Sequence, residues 1–209
     1  ANSINVARWV PQCLYYFYAY SRLPKKTGKI VFSVPSGNLG NLAAGVLAQR
    51  MGLPITQFIA ATNENKVVPT FLMGSYFEAK PSIPTLSNAM DVGNPSNFSR
   101  LVDLYEGDEE KFRNQVKGYF FSDAQTVEAM QSVYRLGYTL DPHGAIGYLG
   151  LKKFLEIDKD YQGIFLETAH PGKFQEVVEK AIHDKIKLPE RLAMFQEGEK
   201  KTTPLTASF

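Results

Sequence analysis

The amino-acid sequence predicts an α/β fold, with an open, mostly parallel sheet flanked by helices. Three apolar runs at 29–34, 55–61 and 163–167 indicate buried strands. The first two enclose a helical segment, and a strand–helix–strand unit of this length implies parallel strands with a right-handed crossover. Ligands of such sheets bind at the carboxyl ends of the strands, so the turns that follow the strands are the candidate sites.

Composition and charge narrow the class of protein. The 209 residues are 44% apolar and 21% charged, as in one large globular domain. The formal net charge of +2 gives no reason to expect nucleic acid or a membrane as a partner. We expect a cytoplasmic protein, since no signal peptide is evident and a lone Cys13 excludes an internal disulfide. No His, Asp or Glu grouping has metal-ligand spacing, so no metal is expected.

The loop at 34–41, Val-Pro-Ser-Gly-Asn-Leu-Gly-Asn, joins the first strand to a helix. Free amides and the positive end of the helix dipole would meet there, which favours an anion site. An ordinary strand-to-helix turn capped by Ser or Asn fits equally well. The loop lacks the third glycine of a dinucleotide fingerprint and the Gly-Lys-Ser/Thr of a P-loop, so a single phosphate monoester fits better than a pyrophosphate.

The first element is a predicted helix over 2–22, with Ser3 or Asn5 as its N-cap. Its apolar positions are Ile4, Val6, Val10, Leu14 and Phe17. The aromatic-rich stretch at 15–20 favours core packing or a domain interface over ligand stacking. The chain begins without Met, already at a cap, and ends near a second capping sequence, so we expect a fragment of a longer polypeptide.

A less regular excursion is predicted at about 63–120. It follows a helix at 41–51 and the strand at 55–61, and it opens with a short helix over 66–74 that Pro69 breaks. The irregular part, 75–97, is either a functional segment or a surface excursion. Helices are predicted at 97–105 and 108–117, with a strand at 119–121.

The carboxyl-terminal part contains clear helix starts. Ser122 begins a capping box, and Asp141 precedes a helix that runs to about 154. A further strand-to-helix turn at 168–173 leads into a helix at 174–181. The turns at 35–41 and 168–172 lie at the same edge of the sheet if its strands are parallel. This favours a cofactor site at the first turn over an ordinary strand-to-helix turn. His143 and His170 lie near helix starts, where a structural or a catalytic role is open, and His183 is expected in solvent.

Several uncommon strings, in one order over nearly the whole chain, resemble threonine synthase. They are residues 33–41, where Leu39 stands in place of a common Phe, with 2–5, 58–63, 85–92 and 168–171. The resemblance implies a large domain, here partial, of the pyridoxal-phosphate (PLP) enzymes of fold type II. It implies that residues 1–209 are the carboxy-terminal part of the catalytic domain. The implied reaction converts O-phospho-L-homoserine and water to L-threonine and phosphate.

The resemblance also implies site residues. The cofactor phosphate would be held by Ser36, Gly37, Asn38, Leu39, Gly40 and Asn41, largely through backbone N–H groups, and the pyridine nitrogen would meet Thr168. Candidates for the substrate pocket are Asn2, Ser3, Asn5, Ser87, Asn88 and Asp91, although caps and turns explain each of them as well.

The family's Schiff-base lysine lies in an amino-terminal Lys-Asp motif that does not occur in this sequence. The lysines that do occur sit in polar stretches, where a solvated role is expected. We therefore expect no catalytic residue here, an inactive isolated chain, and an amino-terminal half as its partner. A non-catalytic module that binds a phosphate ligand stays open, as does another fold type II enzyme such as a dehydratase. The strings at 87–92 and 168–171 argue against the dehydratase.

Overall fold

The computed structural model describes residues 5–24, 28–196, 198 and 201–203. Its sheet contains β1 (Lys29–Pro35), β2 (Gln57–Thr62), β3 (Val116–Phe120) and β4 (Tyr161–Phe165) in the order β3-β2-β1-β4. Every neighbouring pair is parallel. The predicted α/β class with a parallel sheet is confirmed.

The helices connect and flank these strands. They are α1 (Trp9–Ser21), α2 (Gly40–Arg50), α3 (Val67–Leu72), α4 (Phe98–Leu104), α5 (Glu109–Gln115), α6 (Asp123–Tyr134), α7 (Pro142–Ile157), α8 (Gln175–Ile182) and α9 (Glu190–Gln196). Short 3-10 helices lie at Val6–Arg8, Asn88–Met90 and Pro171–Phe174. None of the helices between residues 5 and 203, in the parts that are described, is long and apolar enough to cross a membrane.

Both faces of the sheet are covered because alternate residues of the central strands point to opposite sides. Phe32 of β1 and Phe58 of β2 pack with α1 and α2 on one face. Val31 and Ile59 pack with α7 on the other face. Strand β2 is buried along its whole length, and β1 at every residue after Lys29. The carboxyl ends of these two strands therefore form a rigid platform for the loops that follow.

The buried face of α1 differs from the predicted one. Trp9, Cys13 and Tyr16 are buried, whereas Val10 and Leu14 are 62% and 65% exposed. The helix is apolar on several sides, so the pattern alone did not indicate which side meets the sheet. The N-cap prediction at Asn5 is confirmed, since its side chain accepts the Ala7 N–H.

Two other sequence predictions are wrong in detail. Pro69 lies inside α3 and does not break it, because its position in the first turn needs no N–H donor. Strand β4 is an edge strand that is only half-buried and ends at Phe165, so Glu167 lies beyond it.

The excursion at 63–120 contains α3, α4, α5 and β3, and β3 pairs with β2 as the other edge of the sheet. Its irregular portion is confined to the segment between α3 and α4. Two predicted helix starts are confirmed: Ser122 and Gln125 form the capping box of α6, and Asp141 caps α7.

Candidate functional site

The loop after β1 presents a row of amides without internal partners. The backbone N–H groups of Gly37, Leu39, Gly40, Asn41 and Leu42 have no hydrogen-bond acceptor among the described residues. Leu39, the N-cap of α2, is left-handed, with φ of 62°. A turn of this kind directs successive N–H groups into one concavity, which is a typical anion site at a helix N-terminus.

Other donors and acceptors of the loop form hydrogen bonds within the protein and hold the loop in its shape. The Ser36 N–H donates to Ala61 O at 2.8 Å, and its hydroxyl donates to Val34 O at 2.8 Å. Because both donors of Ser36 are occupied, the free amides of the loop begin at Gly37. The Asn38 side-chain oxygen accepts the Ser96 N–H at 2.6 Å, and Asn41 accepts the Tyr16 hydroxyl at 2.9 Å.

Gly37 brings the loop against the 3-10 helix Asn88–Met90. A Cβ at this position would lie 2.8 Å from Met90 Cα and 3.1 Å from Ala89 O. Only glycine permits so close an approach, which explains this residue in the loop. The contact places Ala89 and Met90 on the wall of the cavity that the loop encloses.

That cavity has a volume of about 200 Å³ and joins the two turns that the sequence predicted at one edge of the sheet. Thr168, just after β4, lines it together with the whole glycine loop. The described residues that line it are Pro35, Ser36, Gly37, Asn38, Leu39, Gly40, Asn41, Leu42, Ala89, Met90, His143 and Thr168. Only one of these side chains, His143, can carry a positive charge.

His143 belongs to a buried cluster that also contains Asp141 and Glu167. The Asp141 Oδ1 atom accepts the His143 backbone N–H at 2.8 Å and lies 2.6 Å from His143 Nδ1. The Glu167 Oε1 atom accepts the Asp141 N–H at 3.1 Å. The Glu167 carboxyl fits there because Gly144 has no side chain: a Cβ at Gly144 would lie 2.1 Å from Oε2.

The two carboxyl groups of this cluster ionise differently. Burial, and then the hydrogen bond to Asp141, raises the pKa of Glu167 to about 9. Burial alone would raise the pKa of Asp141 too, but hydrogen bonds from His143 and Glu167 hold it below its usual value. Glu167 is therefore a neutral acid at pH 7 and Asp141 a carboxylate, so the pair carries a single negative charge.

This assignment accounts for two of the four buried side-chain atoms that lack a partner in the described core. Asp141 Oδ2, Glu167 Oε2 and His143 Nε2 are buried without a partner. A proton held by Glu167 and donated to Asp141 satisfies both carboxyl oxygens. His143 Nε2 is left without a partner, and His143 is one of the residues that line the glycine-loop cavity.

The candidate substrate residues fall into separate groups. Ser87 and Asp91 belong to a buried network in which the Asn63 amide donates to Ser87 Oγ at 3.0 Å and to Asp91 Oδ1 at 2.9 Å. Asp91 also accepts the Thr85 hydroxyl at 2.7 Å. This network holds the irregular segment against the end of β2. Asn88, in contrast, is exposed beside the cavity wall.

The amino-terminal candidates lie at the other side of the loop. Asn2 and Ser3 lie outside the described residues. Asn5 caps the first 3-10 helix and lines a second cavity, of about 240 Å³, with Asn38 and Gly40. The glycine loop thus forms a wall of both cavities. Arg8 and Gln12 also line the second one, and sequence analysis did not select them.

The chain is similar in sequence to known proteins. Residues 144–208 match the family described as "Threonine synthase, C-terminal". The threonine synthase of Haemophilus influenzae is 44% identical over 193 residues, which are 92% of this chain and 45% of that protein. The chain thus spans about half the length of the curated relatives it matches.

Solved structures agree. The crystal structure of threonine synthase from Escherichia coli superposes with a TM-score of 0.86 at 41% identity, over 94% of this chain and 45% of that one. The PLP-bound threonine synthase of Brucella melitensis gives 0.89 at 32% identity, over 98% and 49%. The chain therefore has the fold of the fold type II PLP-dependent enzymes. Sequence and structure together place it in the threonine synthase family, whose carboxy-terminal part it matches.

Proposed function

We propose that this chain supplies the cofactor-phosphate site of a threonine synthase, which converts O-phospho-L-homoserine and water to L-threonine and phosphate. One observation carries the proposal: the glycine loop, in which several backbone amides lack an acceptor among the described residues, lines a single cavity together with Thr168. The family relatives support the reaction, and the geometry supports a phosphate ligand.

The residues fit PLP in chemical terms. The free N–H groups of Gly37, Leu39, Gly40, Asn41 and Leu42, at the N-terminus of an 11-residue helix, would hold its phosphate. The loop side chains of Ser36, Asn38 and Asn41 keep those amides in place through their own hydrogen bonds. Thr168 would meet the pyridine nitrogen with a neutral hydroxyl. When bound, PLP supplies the electron sink for the carbanion chemistry.

The substrate would lie between the two cavities of the loop. Asn88 is exposed beside the wall of the first cavity, and Asn5 lines the second. We assign both as substrate-facing residues, together with Asn2 and Ser3. Ser87 and Asp91 would act through the network with Asn63, by fixing the segment that carries Asn88.

The partner of this chain would be the amino-terminal half of the same enzyme, which acts in the cytoplasm. No lysine is among the described residues that line the cavity, which supports a Schiff-base lysine supplied by that half. An exposed apolar stripe supports the same partner. Its members are Val6, Val10, Leu14 and Tyr18, which are 53%, 62%, 65% and 68% exposed. Apolar residues spaced four apart share one helix face and favour a covering surface.

The test compares the 209-residue chain with the polypeptide extended to the length of the relatives. Both are mixed with PLP and O-phospho-L-homoserine, and threonine and phosphate are measured. We expect equal amounts of both products from the extended protein and neither from this chain. Borohydride treatment should fix PLP to a lysine of the extended protein only; a stable lysine adduct in this chain alone would overturn the assignment.

The same experiment, repeated with serine and with threonine as substrates, separates the alternatives. A non-catalytic binding module would bind PLP or phosphate in either form of the protein and release no product. A dehydratase would form a keto acid and ammonia from serine or threonine, without the release of phosphate. Either result would replace the proposed reaction.

A further inference from the structure

The turn after β4 carries Thr168 into the wall of the glycine-loop cavity. The last backbone hydrogen bond between this edge and β1 runs from the Leu166 N–H to Ser33 O, at 3.0 Å. Within the part of the chain that the structure describes, residues 167–169 make no backbone–backbone hydrogen bond. Segments with few such bonds open at a low cost in free energy, so another contact must fix this turn.

The side chain of Glu167 supplies that contact. It reaches from the turn to the start of α7, where its Oε1 atom accepts the Asp141 N–H at 3.1 Å. Its Oε2 atom fills the space beside Gly144, where a Cβ would lie 2.1 Å away. Glu167 Oε2 and Asp141 Oδ2 are both buried, and neither has a hydrogen-bond donor among the other described residues. The turn is therefore joined to α7 by two carboxyl groups that meet in the interior.

Two buried carboxyl groups attract each other only while one of them keeps a proton, because two carboxylates at this separation repel. Burial, and then the hydrogen bond to Asp141, raises the pKa of Glu167 to about 9. At pH 7 the Glu167 hydroxyl therefore donates to the Asp141 carboxylate. Above pH 9 this hydrogen bond is lost, and with it the attraction between the turn and α7.

We propose that Glu167 is a positioning residue for the cofactor: the proton that it shares with Asp141 holds the Thr168 turn at the cavity, and its loss weakens the binding of the cofactor ring. The balance is one proton, which Glu167 releases to solvent when the hydrogen bond to Asp141 breaks. Thr168 makes no hydrogen bond to any described residue, so its hydroxyl is available to the pyridine nitrogen. The inference rests on the proposed cofactor site and adds the residue that fixes one of its walls.

Other titratable groups lie on the elements around Glu167: the start of α7, the loop before it, and the turn with the 3-10 helix that follows. They are Asp141, His143, Tyr138, His170 and Lys173. His143 lies on the far side of Asp141, with its Nδ1 atom 2.6 Å from Asp141 Oδ1. Burial, followed by the charges of Glu167 and Asp141, raises the pKa of the Tyr138 hydroxyl above its usual value, so Tyr138 stays neutral at pH 9. His170 and Lys173 are exposed to solvent.

Equilibrium binding of PLP to the complete apoenzyme at pH 7.5 and 9.5 tests the proposal. If only the protein with a protonated Glu167 holds the turn, a pKa of about 9 predicts that the dissociation constant rises about fourfold between these pH values. Glu167→Gln cannot ionise, and its amide can donate to Asp141 and accept from the Asp141 N–H, so this rise should be absent. Glu156→Gln is the matched control, because Glu156 is exposed on α7, and it should follow the wild type. Titration of the Schiff-base lysine affects all three proteins alike, so the comparison between them removes it.

Inorganic phosphate, as a second probe, separates positioning of the turn from a general effect of charge. It has no ring to meet Thr168, so its dissociation constant should change with pH equally in the wild type and in Glu167→Gln. Gly144→Ala is an independent variant, because its Cβ would displace the Glu167 carboxyl without removing it. It should bind PLP more weakly at pH 7.5 and lack the fourfold rise.

The outcomes distinguish this inference from the proposed function. An equal rise for PLP in the wild type and in Glu167→Gln would overturn the inference and leave the cofactor site standing. So would a difference between these two proteins that is as large for inorganic phosphate as for PLP. A wild type that binds neither probe would overturn both proposals.

Discussion

Glu167 links the buried polar cluster of Asp141 and His143 to the stability of the fold. Its carboxyl lies in a space that Gly144 leaves open and accepts the Asp141 N–H. Sequence analysis placed Glu167 in a buried strand and gave it no role. The structure instead puts it one residue before Thr168, within the cluster that orients His143.

The raised pKa of Glu167 predicts a pH-dependent stability. Its folded pKa is about 9 and the ordinary value is 4.5, so between these pH values the folded state binds more protons than the unfolded state. The free energy of unfolding should therefore fall as the pH rises through that range. Glu167→Gln cannot ionise and resembles the neutral acid, so we expect it to lose this pH dependence and to be more stable than wild type at pH 8.

Urea unfolding between pH 5 and 9 measures this effect. Glu156→Gln is the control, since Glu156 is exposed on α7 and makes no contact with the cluster. The control should follow the wild-type curve. Parallel curves for wild type and Glu167→Gln would show that Glu167 is already ionised in the folded protein.

At the scale of elements, the glycine loop depends on its contact with the 3-10 helix Asn88–Met90. Gly37→Ala would place a Cβ 2.8 Å from Met90 Cα, where backbone and not a flexible side chain must move. We expect a loss of about 1–3 kcal/mol in the free energy of unfolding, as for other overpacked sites. Phosphate binding should weaken as well, because the shift moves the free amides.

Gly40→Ala is the matched control in the same loop. Its nearest neighbour would be Asn97 Nδ2 at 3.5 Å, an ordinary contact, and alanine suits the first turn of α2. Denaturant unfolding should leave this variant close to wild type. If the two alanine variants were equally stable, the close approach at Gly37 would not be what fixes the loop.

Features that depend on nearby residues could be predicted from the sequence, whereas a feature that depends on strand pairing could not. Local signals were sufficient for the β1–loop–α2 unit, the capping box at Ser122 and the cap at Asp141, because each depends on neighbours a few residues apart. The cluster of His143 with Glu167 was missed. Its residues are 24 positions apart and meet because β4 pairs beside β1, which only the folded sheet determines.

The prediction of which face of α1 is buried was wrong, and the reason lies in the whole molecule and not in the helix alone. Its apolar residues occupy two sides, and one side packs on the sheet through Trp9, Cys13 and Tyr16. The other side is the exposed stripe of Val6, Val10, Leu14 and Tyr18. A sequence pattern cannot separate the residues that form the core of this chain from those that another part of the polypeptide would cover.

The stripe gives a prediction for the association of this chain with the proposed amino-terminal half. Leu14 is 65% exposed, so Leu14→Lys should change the free energy of unfolding of this chain by no more than ~0.5 kcal/mol. Against a separately produced amino-terminal half, the same change places a charge in an apolar interface. We expect the dissociation constant to rise at least tenfold, about 1.4 kcal/mol, because buried apolar anchors carry much of an interface's energy.

Analytical ultracentrifugation or calorimetry of the mixed halves measures that constant. Ile157→Lys serves as the control, since Ile157 is equally apolar and 76% exposed but lies at the far end of α7, outside the stripe. It should leave association unchanged. If Leu14→Lys associated as tightly as the control, the stripe would not contact the amino-terminal half, and the exposed face of α1 would need a different explanation. If both variants weakened association, the interface would extend to the end of α7 and cover both faces of the sheet.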